Sequence, residues 1–325
     1  SCASQATINS RVFRSSSGLM SIGLPASVTY TGSIPNFGTC GVPGGVPLPA
    51  IDVNGHLEIP EGHLMVPNTY YGSTNLKSVH IASTVTLIGD QAFAFCSNLV
   101  NVTFAANSAL LSIGVHAFTS TAIENILIPD STVTIFNYAF SSCNKLHHFL
   151  FTSNSQLTTI EQFAFSSSGL VSFSGPDSLV SIGNNAFRST SSMKAVTFGS
   201  TSLLTTLGHS AFSSSEVTSI SIPNGVTSLE SNTFVSCSSL KNVIFDYENS
   251  NLEIIKQSAF SSTGLVSIGI PKNVATIATL AFSYCYQLTS VYFSCESAAT
   301  ISSSTFYQST SLQQIGCPSS VTYTG

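Results

Sequence analysis

Residues 85–104 read VTLIGDQAFAFCSNLVNVTF. Taken from the ring of Phe93, this stretch places Ala92 before the ring and Cys96, Leu99, Val102 and Phe104 after it. The ring then recurs at Phe118, Phe140, Phe165, Phe187, Phe212, Phe234, Phe260, Phe282 and Phe306, at spacings of 25, 22, 25, 22, 25, 22, 26, 22 and 24 residues. A period in this range, kept over most of a chain, marks a solenoid in which each Phe anchors one coil. The alternation makes a pair of coils, about 47 residues, the true unit.

The offsets around each anchor behave as a template. Phe140 is followed by Cys143, Leu146, Phe149 and Phe151, and Phe234 by Cys237, Leu240, Val243 and Phe245; these are the odd coils. Several even coils end in Pro instead: Ile123, Ile126, Ile128 and Pro129 follow Phe118, and Leu265, Ile268, Ile270 and Pro271 follow Phe260. Apolar residues three and then two apart suit a chain entering a short strand with alternate side chains inward. A second apolar pair precedes each anchor, read as Val133 with Ile135 and as Val226 with Leu229. No coil can bury its own ring and aliphatic set alone, so each must stack on its neighbours in one continuous core.

The motif L-x-x-I-G-x-x-A-F-x-x-C-x-x-L-x-x-V-x-F/I-P resembles the BspA-like class of leucine-rich repeats. The resemblance runs from Leu57 through Ile315 with at least eleven coils, the first anchored by Tyr70. It implies a mainly β fold, a curved right-handed leucine-rich-repeat solenoid with alternating 22- and 25-residue coils and little helix. It also implies an extracellular, cell-surface location and a role in adhesion to host proteins, to other cells or to itself. A family constrains fold more tightly than ligand.

With 325 residues and 43% hydrophobic content the chain can bury a long core, yet only 7% of it is charged. Ser, Thr and Asn coat the surface instead, in runs such as FSSCN, FSSSG and FSSTG directly after the anchors. These runs read as turns repeated once per coil, and their hydroxyls are also candidate carriers of O-linked glycans. The sequon Asn101-Val102-Thr103 falls on an expected strand. A net charge of −5 without any Lys/Arg cluster argues against nucleic acid or an anionic membrane as partner. No run of 18 apolar residues provides a membrane span, and a start at Ser1 without a leader is expected of a processed or excised piece.

Eight cysteines fall into two groups. Cys96, Cys143, Cys237 and Cys285 each lie three residues after an anchor on odd coils, where Thr190 replaces them once. Equivalent atoms two coils apart are separated by roughly 10 Å, beyond the reach of about 7 Å for a disulfide, so these four are expected as buried thiols. Cys2, Cys40, Cys295 and Cys317 lie near the ends, where Cys2–Cys40 and Cys295–Cys317 are candidate capping disulfides, with free or differently paired thiols as the alternative. No Cys/His spacing supports zinc, and no cofactor is expected.

Residues 1–32 align without a gap to residues 294–325, with roughly 19 of 32 positions identical. The Gly/Pro-rich stretch 33–56 reads as a linker or cap, and the solenoid as 57–325. Either the chain is a slice of a longer tandem protein, or it is a subunit whose first segment imitates its own last one. In the second case that segment could cover its own array or the end of a neighbouring copy, building an open filament.

Catalysis finds no support in spacing: the 14 acidic residues and 7 histidines form no dyad, triad or metal motif. The chain is therefore read as no enzyme. If a ligand face exists, the outward strand residues of the concave wall should form it. Its candidates are His148, Tyr292, Leu127, Leu150, Ile244, Asn101, Asn125 and Asn242, with Tyr292 and His148 first because aromatic groups dominate contact energetics. Two functions stand foremost, a protein- or cell-binding adhesin and a structural fibre subunit; a sugar-processing enzyme is a distant third.

Overall fold

The computed structural model describes residues 47–316 and 318–324, together with the strand residues Thr7–Asn9 and Thr29–Thr31. The array is a parallel β-solenoid of about 12 turns. One wall consists of longer strands, from His56–Ile59, Ser78–Ile81 and Asn101–Phe104 to Ser290–Phe293 and Gln314–Gly316. The opposite wall is a single 12-stranded ladder that starts at Met65–Val66 and ends on Thr322–Thr324. Among the described residues there is no α-helix, only a single 3-10 turn at Asn68–Tyr70.

Register follows the inward residues. On the long-strand wall Val79 lies opposite Val102, Ile126 opposite Phe149, and Ile268 opposite Val291, all buried. A slip by one residue would turn each of these into water, which is what fixes the stacking. The short wall matches Ile88 to Ile113 and Ile135 to Ile160 in the same way. One position departs from the sequence reading. Thr132, not Val133, fills the inward slot that Val226 occupies elsewhere, and Val133 is half-exposed. The Thr132 hydroxyl is buried without a hydrogen-bond partner, as are both ring nitrogens of His63 at the corresponding place in the first coil.

The anchors form one aromatic column. From Tyr70 through Phe306, successive rings lie 5.2–5.8 Å apart with planes inclined by 3–16°. Such offset stacks add about 0.5–1.5 kcal/mol per pair beyond the burial itself. Coil spacing and ring spacing coincide, so one residue type at one position satisfies every turn.

The side between the two walls is a ribbon of turns around each anchor. Residues two before and two after the ring adopt positive φ, as at Gln91 (58°) and Phe95 (61°) around Phe93, and at Tyr138 (59°) and Ser142 (59°) around Phe140. That conformation costs a non-glycine residue about 1–2 kcal/mol. It is offset because it aims the N–H groups at the next coil: His116 N donates to Asn137 O (3.0 Å), Phe118 N to Ala139 O (2.8 Å) and Ser120 N to Ser141 O (3.0 Å). The Ser-rich runs belong to this ribbon.

The expected buried thiols are present as free cysteines. The Sγ atoms of Cys96, Cys143, Cys237 and Cys285 donate to the carbonyls of Tyr70, Phe118, Phe212 and Phe260, each at 3.0 Å and each one coil earlier. Burial pushes the thiols of Cys96, Cys143 and Cys237 up to about 11.

Candidate interaction face

Outward residues of the long-strand wall form two columns. One runs through His56, Ser78 and Asn101 and later through Asn125 and His148; the other runs through Glu58, His80 and Thr103 and later through Leu127 and Leu150. Side chains within a column touch along the axis: His56 Nδ1 meets Ser78 Oγ at 2.8 Å, His80 Nδ1 meets Thr103 Oγ1 at 2.9 Å, and Thr197 Oγ1 donates to Ser174 Oγ at 3.2 Å. In the first coils and midway along the wall, hydroxyls and imidazoles of the columns thus meet one another.

Two apolar clusters interrupt it. Leu127 and Leu150 are directly opposed on neighbouring strands and are 53% and 48% exposed, with Asn125 and His148 beside them. A shallow groove of about 630 Å³ opens against Leu127 between Thr103, Pro129, Asp130 and Gln156. Further along, Ile244 and Tyr292 share a second groove of about 490 Å³ with Asn242 and Tyr247. Three strands, Ser172–Gly175, Ala195–Phe198 and Ser219–Ser221, separate the clusters. At about 4.8 Å per strand, Leu150 and Ile244 stand roughly 19 Å apart.

The second groove owes its shape to two residues that the sequence reading did not single out. Gly269 occupies an outward position in the strand Ser267–Ile270, and a Cβ there would collide with the Tyr247 hydroxyl, so the glycine lets that ring lie across the wall. Tyr247 is held from its own loop. Asp246 accepts the N–H groups of Glu248 (3.2 Å) and Asn249 (3.1 Å), and the side-chain amides of Asn249 (2.9 Å) and Asn224 (3.2 Å). The Asn249 side chain, before the other donors, holds the Asp246 carboxyl below the ordinary carboxylate range. The available signal was an Asp three residues before an Asn, with a glycine at an outward strand position.

The predicted residues therefore sort into groups. His148, Leu127, Leu150 and Asn125 come together, Tyr292, Ile244 and Asn242 come together, and Asn101 lies exposed in neither cluster. Cys295 lines the second groove with an exposed free thiol. Its candidate partner Cys317, like Cys2 and Cys40, lies outside the described residues. Among the described residues no group of three His, Cys, Asp or Glu side chains is arranged to hold a metal ion, and no helix is long and apolar enough to cross a membrane.

Comparison with known proteins places this geometry in context. A family model described as BspA type leucine rich repeat region matches six copies, over residues 65–194, 158–289 and 248–325. A leucine-rich repeat protein from Bacteroides ovatus is similar in structure, with a TM-score of 0.56 and 23% identity over 82% of each chain. The pneumococcal vaccine antigen PcpA matches at 21% identity over 77% of this chain and 69% of that one, with a TM-score of 0.47. A leucine rich cell surface protein from Faecalibacterium prausnitzii matches at 24% identity over 77% and 79%, with a TM-score of 0.37. No curated protein sequence matches.

Proposed function

Because the chain belongs to the BspA-type leucine-rich-repeat family, we propose that it is an extracellular, cell-surface interaction protein that adheres to other proteins or cells through its long-strand wall. The observation that carries this reading is the pair of exposed apolar clusters, Leu127 with Leu150 and Ile244 with Tyr292, set about 19 Å apart on a wall that is otherwise largely polar. Half-exposed aliphatic and aromatic side chains at the centre of a polar strip are what contact hot spots require, and clustered ones mark interaction sites. The partner surface that suits them is a protein presenting two apolar protrusions along one line. With so few charges on the wall, steering by long-range electrostatics is weak and selectivity rests on shape. We assign the chain no catalytic role. The ribbon hydroxyls are the places where O-linked sugar would be carried.

Beads coated with the chain and offered to matrix proteins and to cells test this reading. Replacing Leu127 and Leu150 by Ser, or Ile244 by Ser together with Tyr292 by Ala, should each lower adhesion by about tenfold or more. Adhesion unchanged in both double variants would remove the wall as the binding surface.

A second reading, a structural subunit of a head-to-tail extracellular filament or tandem-module fibre, has one observation in its favour. Thr7–Asn9 pairs with Thr29–Thr31 in parallel, Thr7 opposite Thr29 and Asn9 opposite Thr31. The duplicated segment at the other end pairs in the same register, Thr300 opposite Thr322 and Ser302 opposite Thr324.

A further inference from the structure

We propose that Asn224 is a self-modifying site: its carboxamide is lost spontaneously to the backbone nitrogen of Gly225, and the aspartate left behind unlocks Tyr247 from the second groove. The inference concerns the covalent state of the groove's wall and holds whether or not that wall binds a partner.

Asn-Gly is the dipeptide in which this chemistry runs most readily, because no Cβ on the second residue hinders the approach of its nitrogen. Two such pairs stand in the chain, Asn54-Gly55 and Asn224-Gly225. Their attacking nitrogens differ. Gly55 N donates to Asp52 O at 3.1 Å, in a turn whose Asp52 carboxylate also accepts Asn54 N (2.9 Å) and His56 N (2.7 Å). Gly225 lies in a turn closed by Val226 N donating to Pro223 O at 3.1 Å, and among the described residues nothing accepts the Gly225 N–H. Asn224 is exposed, so water and hydroxide reach the pair. A Cβ at position 225 would meet Leu204 O at 2.8 Å, so the close stacking of this turn on the preceding coil calls for the glycine that makes the asparagine labile.

The step balances with water alone. Gly225 N gives up its proton and bonds to Asn224 Cγ; the Cγ–Nδ2 bond breaks, and Nδ2 departs as ammonia carrying the equivalent of that proton. Water then opens the cyclic imide. Cleavage of the new N–Cγ bond leaves aspartate, and cleavage of the Asn224 C–N bond leaves isoaspartate, with the chain rerouted through the side chain. No oxidant or reductant takes part.

Position gives the conversion its effect. Asn224 Nδ2 donates to Asp246 Oδ2 at 3.2 Å, the same oxygen that accepts Asn249 Nδ2 at 2.9 Å. Asp246 organises the loop that lays the Tyr247 ring on Gly269. Conversion replaces the Asn224 donor by an ionised carboxylate, an acceptor only, facing another carboxylate. Like charges so close repel, and Glu248 adds a further negative charge to the loop, engaged with Lys272 at 3.4 Å. Isoaspartate also lengthens the backbone by one atom and displaces Asn224 O, which accepts Asn251 N at 3.1 Å. Both products loosen the loop from the turn beside it, and the ring leaves Gly269. Ammonia lost to solvent is not regained, so the shape of the groove records the age of the chain.

The test ages the whole chain at physiological temperature and mildly alkaline pH and follows each asparagine by peptide mass spectrometry. Asn224 should convert about tenfold or more faster than Asn54, whose attacking nitrogen must first give up a hydrogen bond. The aged product, separated by its extra negative charge, and Asn224→Asp made directly should both lose the ring-current displacement of the Gly269 α-proton signals in NMR spectra. Asn54→Asp should keep it. Should Asn224→Asp fail to fold, the aged parent chain carries the same readout. Conversion of Asn224 no faster than that of Asn54 would overturn the site, and Gly269 signals unmoved in the converted chain would overturn the unlocking.

Discussion

The thiol of Cys143 donates to the carbonyl of Phe118, 3.0 Å away and one coil earlier, sharing it with the N–H of Thr121 at 3.3 Å. The same pairing joins Cys96 to Tyr70, Cys237 to Phe212 and Cys285 to Phe260, while Ser309 does this work for Phe282 at 2.6 Å. The carbonyls of Tyr70, Phe118 and Phe212 also accept the N–H three residues on, and that of Phe260 the Thr263 hydroxyl, so the cysteine serves each as a second, small donor from the next coil.

Cys143→Ala should accordingly lower stability by about 0.5–1.5 kcal/mol in urea unfolding through loss of the second donor, and Cys143→Ser by less, because the hydroxyl can still donate. Equal losses for both variants would show that packing, not the hydrogen bond, sets the cost.

A neighbouring hydroxyl gives the converse case. Thr121, Ser215 and Thr263 each touch the thiol of the next coil, at 3.3, 3.4 and 3.3 Å. Ser168 faces the coil where Thr190 stands in place of cysteine, and its hydroxyl is buried without a partner. Ser168→Ala should be neutral or stabilising by up to about 1 kcal/mol, while Ser215→Ala should destabilise. Thermal midpoints of the two variants, measured side by side, decide this; a loss at Ser168 equal to that at Ser215 would contradict it.

Asp90 accepts Val115 N at 2.8 Å, a task that Asn137 and Asn184 perform for Gln162 and His209 in later odd coils. Burial pushes its carboxyl up to about 6 from 3.8, the Val115 N–H only partly opposing. The folded state therefore holds the proton more tightly than the unfolded chain, so this group's contribution is most favourable below about pH 4 and is lost as pH rises through about 6. Asp90→Asn should stabilise the fold at pH 7 by about 2 kcal/mol, and the gain should vanish in acid. Chemical denaturation at several pH values measures it; a gain independent of pH would refute the assignment.

Gly269→Ala should expel the Tyr247 ring from the wall while leaving the core intact. The expected result is a thermal midpoint close to that of the parent chain with weakened partner adhesion. Unchanged adhesion would mean that the groove beside Tyr292 is not a contact surface.

Much of this architecture was legible because one residue type had to satisfy every coil. The Phe column, the buried thiols and the inward strand positions follow from a fixed spacing, and stacking rewards fidelity to it. Thr132 escaped because the slot before the short strand holds a polar residue in two coils, at His63 and Thr132, and Val133 beside it looked the better apolar candidate. Tyr247 escaped because it acts from a loop, whose residues are not periodic, and its placement depends on the absence of a side chain at Gly269. Exposed pairs such as Leu127 and Leu150 were visible as strand positions, but only the register shows that they meet.

The turn ribbon has an electrical outcome. Its three N–H···O=C contacts per coil point toward the later coils, whereas contacts at the strand entries, such as Gly114 N to Ile88 O and Phe136 N to Ile113 O, point toward the earlier ones, so the peptide dipoles of the two sides oppose each other along the axis.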